Sequence, residues 1–348
     1  MRKMILILSL TVAISAMLAT NAFAFHDRGV AHCNGCHTIH NSYNGVPVDA
    51  AHPNGNAYLL KMSTPSDVCL SCHAASNGAV WTTTPLTPPA ERGGGNFGNE
   101  TFANLNDGHN GHLSPIVGSY GVHNIIAPSK NGVADPRLTV APGGTYPAGS
   151  LSCTSCHNPH GNTNFRLLYG AGPVEAGNYN FTNPAPQAVG ISLSGAGESP
   201  TNHTAYQGGM SAWCANCHGN FHSQGDRLVH PSGVAMGASL AQSYGLYNGT
   251  GQTSGNPATA YIPQVPFEDS SDSTHAAFGP SASSQVSCIT CHRAHGTSEP
   301  SIGRWDFNIT TWAEEGVESS SYPVPNPYPA AGNEQRSLCN KCHGKDSE

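Results

Sequence analysis

Twelve cysteines are spaced in a way that indicates one particular chemistry. All of them lie in six C-x-x-C-H pentads, numbered here in chain order: Cys33/Cys36/His37, Cys69/Cys72/His73, Cys153/Cys156/His157, Cys214/Cys217/His218, Cys288/Cys291/His292 and Cys339/Cys342/His343. The spacing places two thiols beside the two vinyl groups of a haem, and the adjacent histidine reaches the iron as the proximal ligand. Disulfides and Cys/His zinc sites give no reason for a histidine after every second cysteine. The pentads therefore predict six covalently attached haem c groups.

Each haem iron needs a second axial ligand, and the supply of residues indicates its kind. Beyond the leader described below, the chain has only three methionines, Met62, Met210 and Met236, which cannot serve six irons. Of the 19 histidines, the six proximal ones leave thirteen for six distal positions. We therefore expect bis-histidine ligation throughout, which closes both faces of each iron and suits electron transfer rather than substrate binding.

The distal ligands are predicted from where the spare histidines fall. A histidine three residues after a proximal one lies near its own haem but cannot curl round to the opposite face, so we expect it to reach a neighbouring haem. A histidine in the long stretch before a pentad can cap a haem from a returning loop, and one before a proline has its chain direction fixed. The predicted distal ligands are His40, His160 and His295 of the first kind, His123 and His275 of the second, and His230 of the third, with His222 and His26 as further candidates.

The composition favours a fold made mostly of loops. Glycine and proline together make up 66 of 348 residues, and only 10% of residues are charged. Such a chain disfavours long helices and strands, but its low charge also argues against a solvated disordered tail. We predict a multihaem cytochrome c fold, in which irregular loops and a few short helices wrap a stack of six haems with minimal sheet. The stretches 82–99, 171–201 and 248–264 are predicted to be surface loops.

The N-terminus predicts export. Arg2 and Lys3 precede an apolar run over residues 4–18, and Ala22 and Ala24 form a small-x-small cleavage site. Residues 1–24 are therefore predicted to be a signal peptide, with a retained membrane anchor as the alternative, and residues 25–348 a single hexahaem domain. The mature chain has 12 basic and 21 acidic residues, a net charge of −9, to which haem propionates would add, so nucleic-acid binding is excluded.

Three pentads share a local pattern, and larger segments carry a resemblance. CTSCHNPHG (153–161) and CITCHRAHG (288–296) are alike, and CNGCHTIHN (33–41) has the same second histidine. With the segments 25–42, 123–161, 209–222, 286–296 and 338–346, the chain resembles the OmcS-like outer-surface hexahaem c-type cytochromes. The resemblance implies a closely spaced chain of bis-histidine haems in subunits that polymerise into extracellular filaments. It further implies that His40 ligates a haem of the adjacent subunit, with the fifth pentad, His292, as the recipient.

Three functions are compatible with six haems. The first is a non-catalytic filament that passes electrons to other multihaem cytochromes and to extracellular acceptors such as metal oxides. The second is a monomeric electron shuttle of the periplasm or cell surface. The third is a multihaem reductase, which needs an iron with an open face. Since all six pentads end in histidine and spare histidines are plentiful, we expect no enzyme activity, and the resemblance favours the filament.

Overall fold

The computed structural model describes a chain with little regular secondary structure. The described residues are 32–74, 80–82, 94–103, 117–174, 179–190, 204–222, 230–247, 255–262, 265–272, 280–297, 299–304 and 340–343. The predicted signal peptide lies outside these ranges. In the part that is described, no helix is both long enough and apolar enough to span a membrane.

The helices are short and most of them carry a pentad. In chain order they are α1 (Cys33–Cys36), α2 (Pro65–His73), α3 (Met210–His222), α4 (Gly237–Leu246), α5 (Cys288–Cys291) and α6 (Asn340–His343). Single 3-10 turns occur at Ala57–Leu59, Phe97–Thr101, Gly118–Tyr120, Pro128–Lys130, Ala148–Ser150, Cys153–Ser155, Phe165–Leu167, Pro257–Thr259 and Pro300–Ile302. Of these helices, only α4 has no part in a pentad, so helix is formed mainly where a haem has to be held.

The strands form three small antiparallel hairpins in the described residues. These are β1 (Ser42–Tyr43) with β2 (Val46–Pro47), β3 (Gly172–Val174) with β4 (Tyr179–Phe181), and β5 (Gln187–Val189) with β6 (Ala205–Gly208). None of these hairpins joins a larger sheet. The predicted fold class, mostly irregular loops with a few short helices and minimal sheet, is thereby confirmed.

Helix α2 shows how local sequence starts such a short helix. Pro65 occupies the first turn, where a missing N–H costs nothing, and the Thr64 side chain accepts a hydrogen bond from Asp67 N at 3.1 Å. The Asp67 carboxylate in turn accepts from Ser129 N at 2.9 Å, which ties the helix to a distant loop. The helix that carries the second pentad is therefore fixed at its N-terminus by side-chain hydrogen bonds rather than by a large apolar face.

Among the described residues, the buried apolar side chains form small separate clusters instead of one core. One contains Leu70, Trp81, Phe97, Ile125 and Ala127. The others consist of Met236, Tyr244, Ala260, Tyr261 and Phe267, and of Tyr146, Tyr169, Val174 and Phe181. One cysteine of a pentad packs against each cluster, in the same order: Cys153, Cys342 and Cys217. The side-chain core is therefore organised around the haem attachment points.

All three predicted surface loops are wrong in part. The stretch 171–201 contains β3, β4 and β5, and its residues Val174 and Phe181 are buried in an apolar cluster. Within 82–99, Asn96 and Asn99 are fully buried and Phe97 lies in an apolar cluster, and within 248–264 the residues 260–262 are buried. The Asn96 side chain explains the burial within 82–99, because it accepts from Thr82 N and Gly98 N, both at 2.9 Å. A polar segment can be buried at little cost when its own side chains satisfy the backbone.

Candidate haem sites

The pentads fall into two structural kinds that alternate along the chain. In the second, fourth and sixth pentads the helix includes the histidine, in α2, α3 and α6, although α3 is kinked at His218; we call these the helical pentads. In the first, third and fifth pentads the turn ends before the histidine, whose backbone pairs as an isolated bridge with residue 60, 168 or 303; we call these the turn pentads. In every pentad of which both cysteines are described, they are separated by one helical turn, which places the two sulfurs on one face.

Each turn pentad is held by a second turn in an uncommon conformation. The turns at 57–59, 165–167 and 300–302 each contain two consecutive residues in the left-handed region: Tyr58 and Leu59, Arg166 and Leu167, and Ser301 and Ile302, with φ between 52° and 59°. Left-handed residues other than glycine carry strain that surrounding contacts must offset. Here the turn directs one backbone carbonyl at the proximal imidazole: Nδ1 of His37, His157 and His292 lies 2.9, 2.8 and 2.9 Å from the carbonyl oxygens of Tyr58, Arg166 and Ser301.

These carbonyl contacts determine which imidazole nitrogen is free to bind iron. A carbonyl oxygen only accepts, so Nδ1 of each ring must carry the proton, and the lone pair remains on Nε2. The fourth pentad has the same arrangement, with His218 Nδ1 2.7 Å from the Pro142 carbonyl oxygen. A carbonyl on the outer nitrogen orients a metal-binding imidazole and increases its basicity. These four proximal histidines therefore fit the role of haem ligand.

Three pairs of histidine rings lie at the separation of two axial ligands, one pair with its planes nearly parallel and two with their planes inclined. The ring centres of His37 and His160 are 6.3 Å apart, those of His157 and His295 are 6.4 Å apart, and those of His218 and His123 are 6.0 Å apart. Two imidazole nitrogens each about 2 Å from one metal are about 4 Å apart, and each ring centre lies about 1 Å further out. Each pair thus consists of a proximal histidine and one of the predicted distal ones, at a spacing that fits an iron between them.

Burial keeps the distal imidazoles in the form that a metal requires. It lowers the pKa of His123 to about 4 and that of His295 to about 3, so both rings are neutral at neutral pH. The same cause lowers the pKa of His157 and His292. His123 is positioned by its Nδ1, which donates to the Ala294 carbonyl at 2.6 Å, and His295 is covered by the Phe97 ring at 4.5 Å.

Each of the first two helical pentads is joined directly to the turn pentad that follows it. The buried Ser66 hydroxyl accepts from Cys153 N at 3.3 Å, and the buried Ser211 hydroxyl accepts from Cys288 N at 3.1 Å. Each serine lies three residues before the first cysteine of its own pentad. The first cysteines of the two pentads are also neighbours across each junction, Cys69 with Cys153 and Cys214 with Cys288. We call each unit, a helical pentad with the next turn pentad, a two-pentad module.

The modules are adjacent in the order of the chain. Cys36 of the first pentad interacts electrostatically with Cys72 of the second, and Cys156 of the third with Cys217 of the fourth. Together with the contacts inside the modules, this places the first five pentads in sequence order through the molecule. None of the eleven described cysteines forms a disulfide.

The sixth pentad is described only in part. Cys342 is half-buried on α6 without a disulfide, and it packs against the apolar cluster that contains Met236 and Tyr244. The neighbouring Lys341 places its Nζ 4.2 Å from the centre of the Tyr244 ring, and burial lowers the pKa of Lys341 to about 7. Because Cys339 lies outside the described residues, the structure does not bring Cys342 to its predicted partner thiol. Attachment of the sixth haem through Cys339 and Cys342 therefore stays a prediction from the sequence.

The remaining predicted ligands are not brought to a second ring in the described residues. His40 is exposed, and among the described residues it makes no hydrogen bond, ion pair or ring contact. His230 is exposed, with Nδ1 3.2 Å from the Pro231 carbonyl oxygen. His222 ends α3. His26, His275 and the side chains of His222 and His343 lie outside the described residues, as do any contacts they make.

The carbonyl-bearing turns are functional elements that the sequence analysis missed. Their one recognisable signal is the Leu-Leu pair shared by AYLLK (57–61) and FRLLY (165–169), each following a turn pentad. The third copy, PSIGR (300–304), departs from it, so the pattern is too weak to find without the structure. Arg166 and Ser301 are also unusual residues for a left-handed conformation, which favours glycine and asparagine.

Comparisons with known proteins agree with this arrangement. The model of the doubled CXXCH motif matches residues 146–178. The chain is 36% identical to the C-type cytochrome OmcS of Geobacter sulfurreducens, over 97% of this chain and 98% of the relative. Two solved structures are similar over 92% of this chain and 100% of theirs, with 31% identity: the OmcS nanowires at a TM-score of 0.73 and the outer membrane cytochrome S filament, both from Geobacter sulfurreducens, at 0.74.

Six pentads, four of them with a proximal imidazole oriented by a backbone carbonyl, define this chain as a multihaem c-type cytochrome, with one haem c for each pentad. Within that class, the extent and level of identity show that it belongs to the OmcS family. Its haems transfer electrons, and the mostly irregular chain surrounds the stack of haems.

Proposed function

We propose that this chain conducts electrons along six bis-histidine haems and that its copies join head to tail into an extracellular filament. Membership in the OmcS family supports the proposal, because both similar solved structures are filaments of that relative. On this proposal the electrons pass to other multihaem cytochromes and to extracellular acceptors such as metal oxides. The protein acts as a conductor and not as an enzyme.

The observation that carries the proposal is the order in which histidines of different turn pentads pair. The histidine three residues after the third pentad, His160, faces His37 of the first pentad. The corresponding histidine of the fifth pentad, His295, faces His157 of the third. Each second histidine of a turn pentad therefore reaches back to the preceding turn pentad.

The same pairing, of a second histidine with the preceding turn pentad, predicts a partner for His40. It is the second histidine of the first pentad, and no turn pentad precedes it in the chain. If this pairing continues from copy to copy, the preceding turn pentad is the fifth pentad of another copy, where His292 is the proximal ligand. His40 is exposed and therefore accessible to another copy, and the His292 ring is already oriented by the contact of its Nδ1 with the Ser301 carbonyl. A ligand donated across a head-to-tail contact generates an open, non-closing assembly.

The chain's own residues would occupy the axial positions of the irons and keep the ligand imidazoles in one protonation state. Haem iron, when bound, supplies the one-electron step. Backbone carbonyls hold the proximal imidazoles in one tautomer, and burial keeps His123 and His295 neutral so that they remain ligands near neutral pH. With an imidazole on each face, an iron has no open position for a substrate, which favours electron transfer over chemistry at the iron.

The test is a His40→Ala variant examined by negative-stain microscopy of sheared extracellular material. We expect wild-type filaments, and dispersed subunits with six attached haems for the variant. A His52→Ala variant is the matched control, because His52 is an exposed histidine of the same region whose Nδ1 pairs with Asp49 at 2.8 Å. Normal filaments from His40→Ala would refute the cross-subunit ligand. Dispersed wild-type subunits would instead favour the monomeric periplasmic or cell-surface shuttle.

A further inference from the structure

Four buried side-chain oxygens without a hydrogen-bond partner lie next to the segment that carries His123. They are Asn99 Oδ1, Glu100 Oε2, Ser119 Oγ and Asn124 Oδ1, and solvent reaches none of them. We call these four residues the oxygen cluster. Buried polar atoms normally have a partner, so four such exceptions in one region indicate that the region binds something.

Two packed turns bring Asn99 and Ser119 together. The turn Gly118–Tyr120 packs on the turn Phe97–Thr101. A Cβ at Gly118 would collide with the Asn99 carbonyl oxygen, so the close approach of the two turns needs a glycine at this position. The side chain of the next residue, Ser119, is buried at this contact.

Asn124 and Glu100 meet at the same turns. The Asn124 side-chain amide donates to the Ser119 carbonyl oxygen at 2.9 Å and to the Asp135 carboxylate at 3.0 Å. The Glu100 carboxylate interacts with the backbone N–H of Ile125, the residue that follows Asn124. The oxygen cluster therefore lies where the segments 97–101, 118–125 and 133–137 meet.

The charges around the oxygen cluster favour a cation. The Oε1 atom of Glu100 accepts from Val133 N at 2.5 Å, and Oε2 is the oxygen without a partner. Burial and the neighbouring Asp135 carboxylate both raise the pKa of Glu100, which is about 8. Asp135 itself pairs with Arg137 at 3.3 Å. The Glu100 carboxyl group can therefore be neutralised in two ways, by a proton or by a bound cation.

We infer that the oxygen cluster is a binding site for Ca²⁺. Calcium binds about six to eight oxygens from carboxylates, amide carbonyls and other neutral groups, and the cluster would supply four of them. Mg²⁺ usually keeps several of its waters, which does not suit oxygens that solvent cannot reach. In the described residues, no three His, Cys, Asp or Glu side chains are grouped to hold a metal. The cluster instead offers mainly neutral oxygens, which is a calcium-like ligand set.

Bound Ca²⁺ would hold the segment that presents a haem ligand. Asn124 directly follows His123, whose ring lies 6.0 Å from that of His218. In the Ca²⁺-free chain Glu100 keeps its proton up to about pH 8, so binding at neutral pH releases this proton to solvent and leaves the carboxylate on the ion. The inference is independent of the proposed filament, because all the ligands belong to one chain.

The first test counts the ions that the haem-loaded protein retains. After equilibrium dialysis against Ca²⁺, calcium and iron are measured by mass spectrometry. Glu100→Gln keeps the shape of the protonated side chain but cannot become a carboxylate, so we expect it to bind one Ca²⁺ fewer per six irons than wild type. Glu268→Gln is the matched control, because Glu268 is also buried and also accepts a backbone hydrogen bond, from Met210 N at 2.5 Å. It should bind as much Ca²⁺ as wild type, and the comparison subtracts any Ca²⁺ held by haem propionates.

The second test adds a charged ligand to the site. Asn99→Asp breaks no side-chain hydrogen bond, since neither amide atom of Asn99 has a partner among the described residues. With a chelator present, we expect a lower melting temperature than wild type, because two buried carboxylates then repel each other. Added Ca²⁺ should raise the melting temperature of Asn99→Asp by more than that of wild type.

Two results would overturn the inference. One is equal Ca²⁺ binding by wild type and Glu100→Gln. The other is an Asn99→Asp variant that is destabilised by the same amount with and without Ca²⁺, which would mean that a buried water satisfies the oxygen cluster. Neither result changes whether the chain forms filaments, which microscopy measures separately.

Discussion

Replacing His123 by alanine tests the ligand assignment in the middle of the haem stack. His123 faces His218 at 6.0 Å between ring centres, so its loss should open one face of the fourth haem and no other. With six haems per chain, about one sixth of the ferric iron is expected to change from low spin to high spin. The backbone bond from His123 N to the His295 carbonyl oxygen, at 3.0 Å, does not depend on the side chain, so His295 should stay in place.

The variant should remain folded, which makes the spin count meaningful. The substitution removes the 2.6 Å hydrogen bond to the Ala294 carbonyl, a loss of about 1–3 kcal/mol, small beside the covalent attachment of the haems. Electron paramagnetic resonance of the oxidised protein measures the high-spin fraction, and His52→Ala is the control, because His52 faces Asp49 instead of a haem ligand. A variant that stays entirely low-spin would refute the pairing of His123 with His218. A high-spin fraction near one third would show that a second haem depends on the same side chain.

Two further predictions concern stability. Burial raises the pKa of Glu100 to about 8, so the folded chain keeps a proton that the unfolded chain loses above pH 4.5. The free energy of unfolding should therefore fall by about 1.4 kcal/mol per pH unit between pH 4.5 and pH 8. Glu100→Gln should abolish this slope. Gly144→Ala should lower the melting temperature and weaken the fourth haem site, because a Cβ there would collide with the Cys217 carbonyl oxygen and push away the loop that carries the Pro142 carbonyl. Gly149→Ala is its control, since a Cβ at that position meets no atom within 4 Å.

Each of these has a clear contrary outcome. Chemical denaturation at pH 5 and pH 8 measures the Glu100 effect, and an equal pH slope in wild type and Glu100→Gln would assign the slope to other groups. Thermal unfolding followed by haem absorbance measures the glycine effect. If Gly144→Ala and Gly149→Ala melted together, the close packing of the loop on α3 would be wrong.

The site was more predictable than the fold that positions it. Pentad spacing predicts the proximal ligands because covalent attachment requires the two cysteines and the histidine to lie within five residues. His160 and His295 could be proposed from their offset of three residues, but their partners could not, because the pairing depends on contacts between distant parts of the chain. His123 illustrates this, since its Nδ1 bonds a carbonyl 171 residues away.

The supporting turns were beyond prediction for a different reason. Local propensities assign glycine or asparagine to left-handed backbone, whereas Tyr58, Arg166 and Ser301 adopt it because their carbonyls hold a histidine. Burial of the segment 97–100 was missed because polar residues usually mark a surface loop. Here the buried Asn96 side chain accepts hydrogen bonds from the backbone N–H groups of Thr82 and Gly98. The alternation of helical and turn pentads was likewise invisible in the spacing, since the intervals between pentads are irregular.

The central claim is that one closed chain of bis-histidine haems continues from copy to copy. Cryo-electron microscopy of filaments of this protein tests it most directly, at a resolution that shows axial ligands. We expect His40 of one copy and His292 of the next on opposite faces of the same haem, at the 6.0–6.4 Å ring separation seen within the chain. A fifth haem ligated entirely within its own chain, with His40 facing solvent, would contradict it.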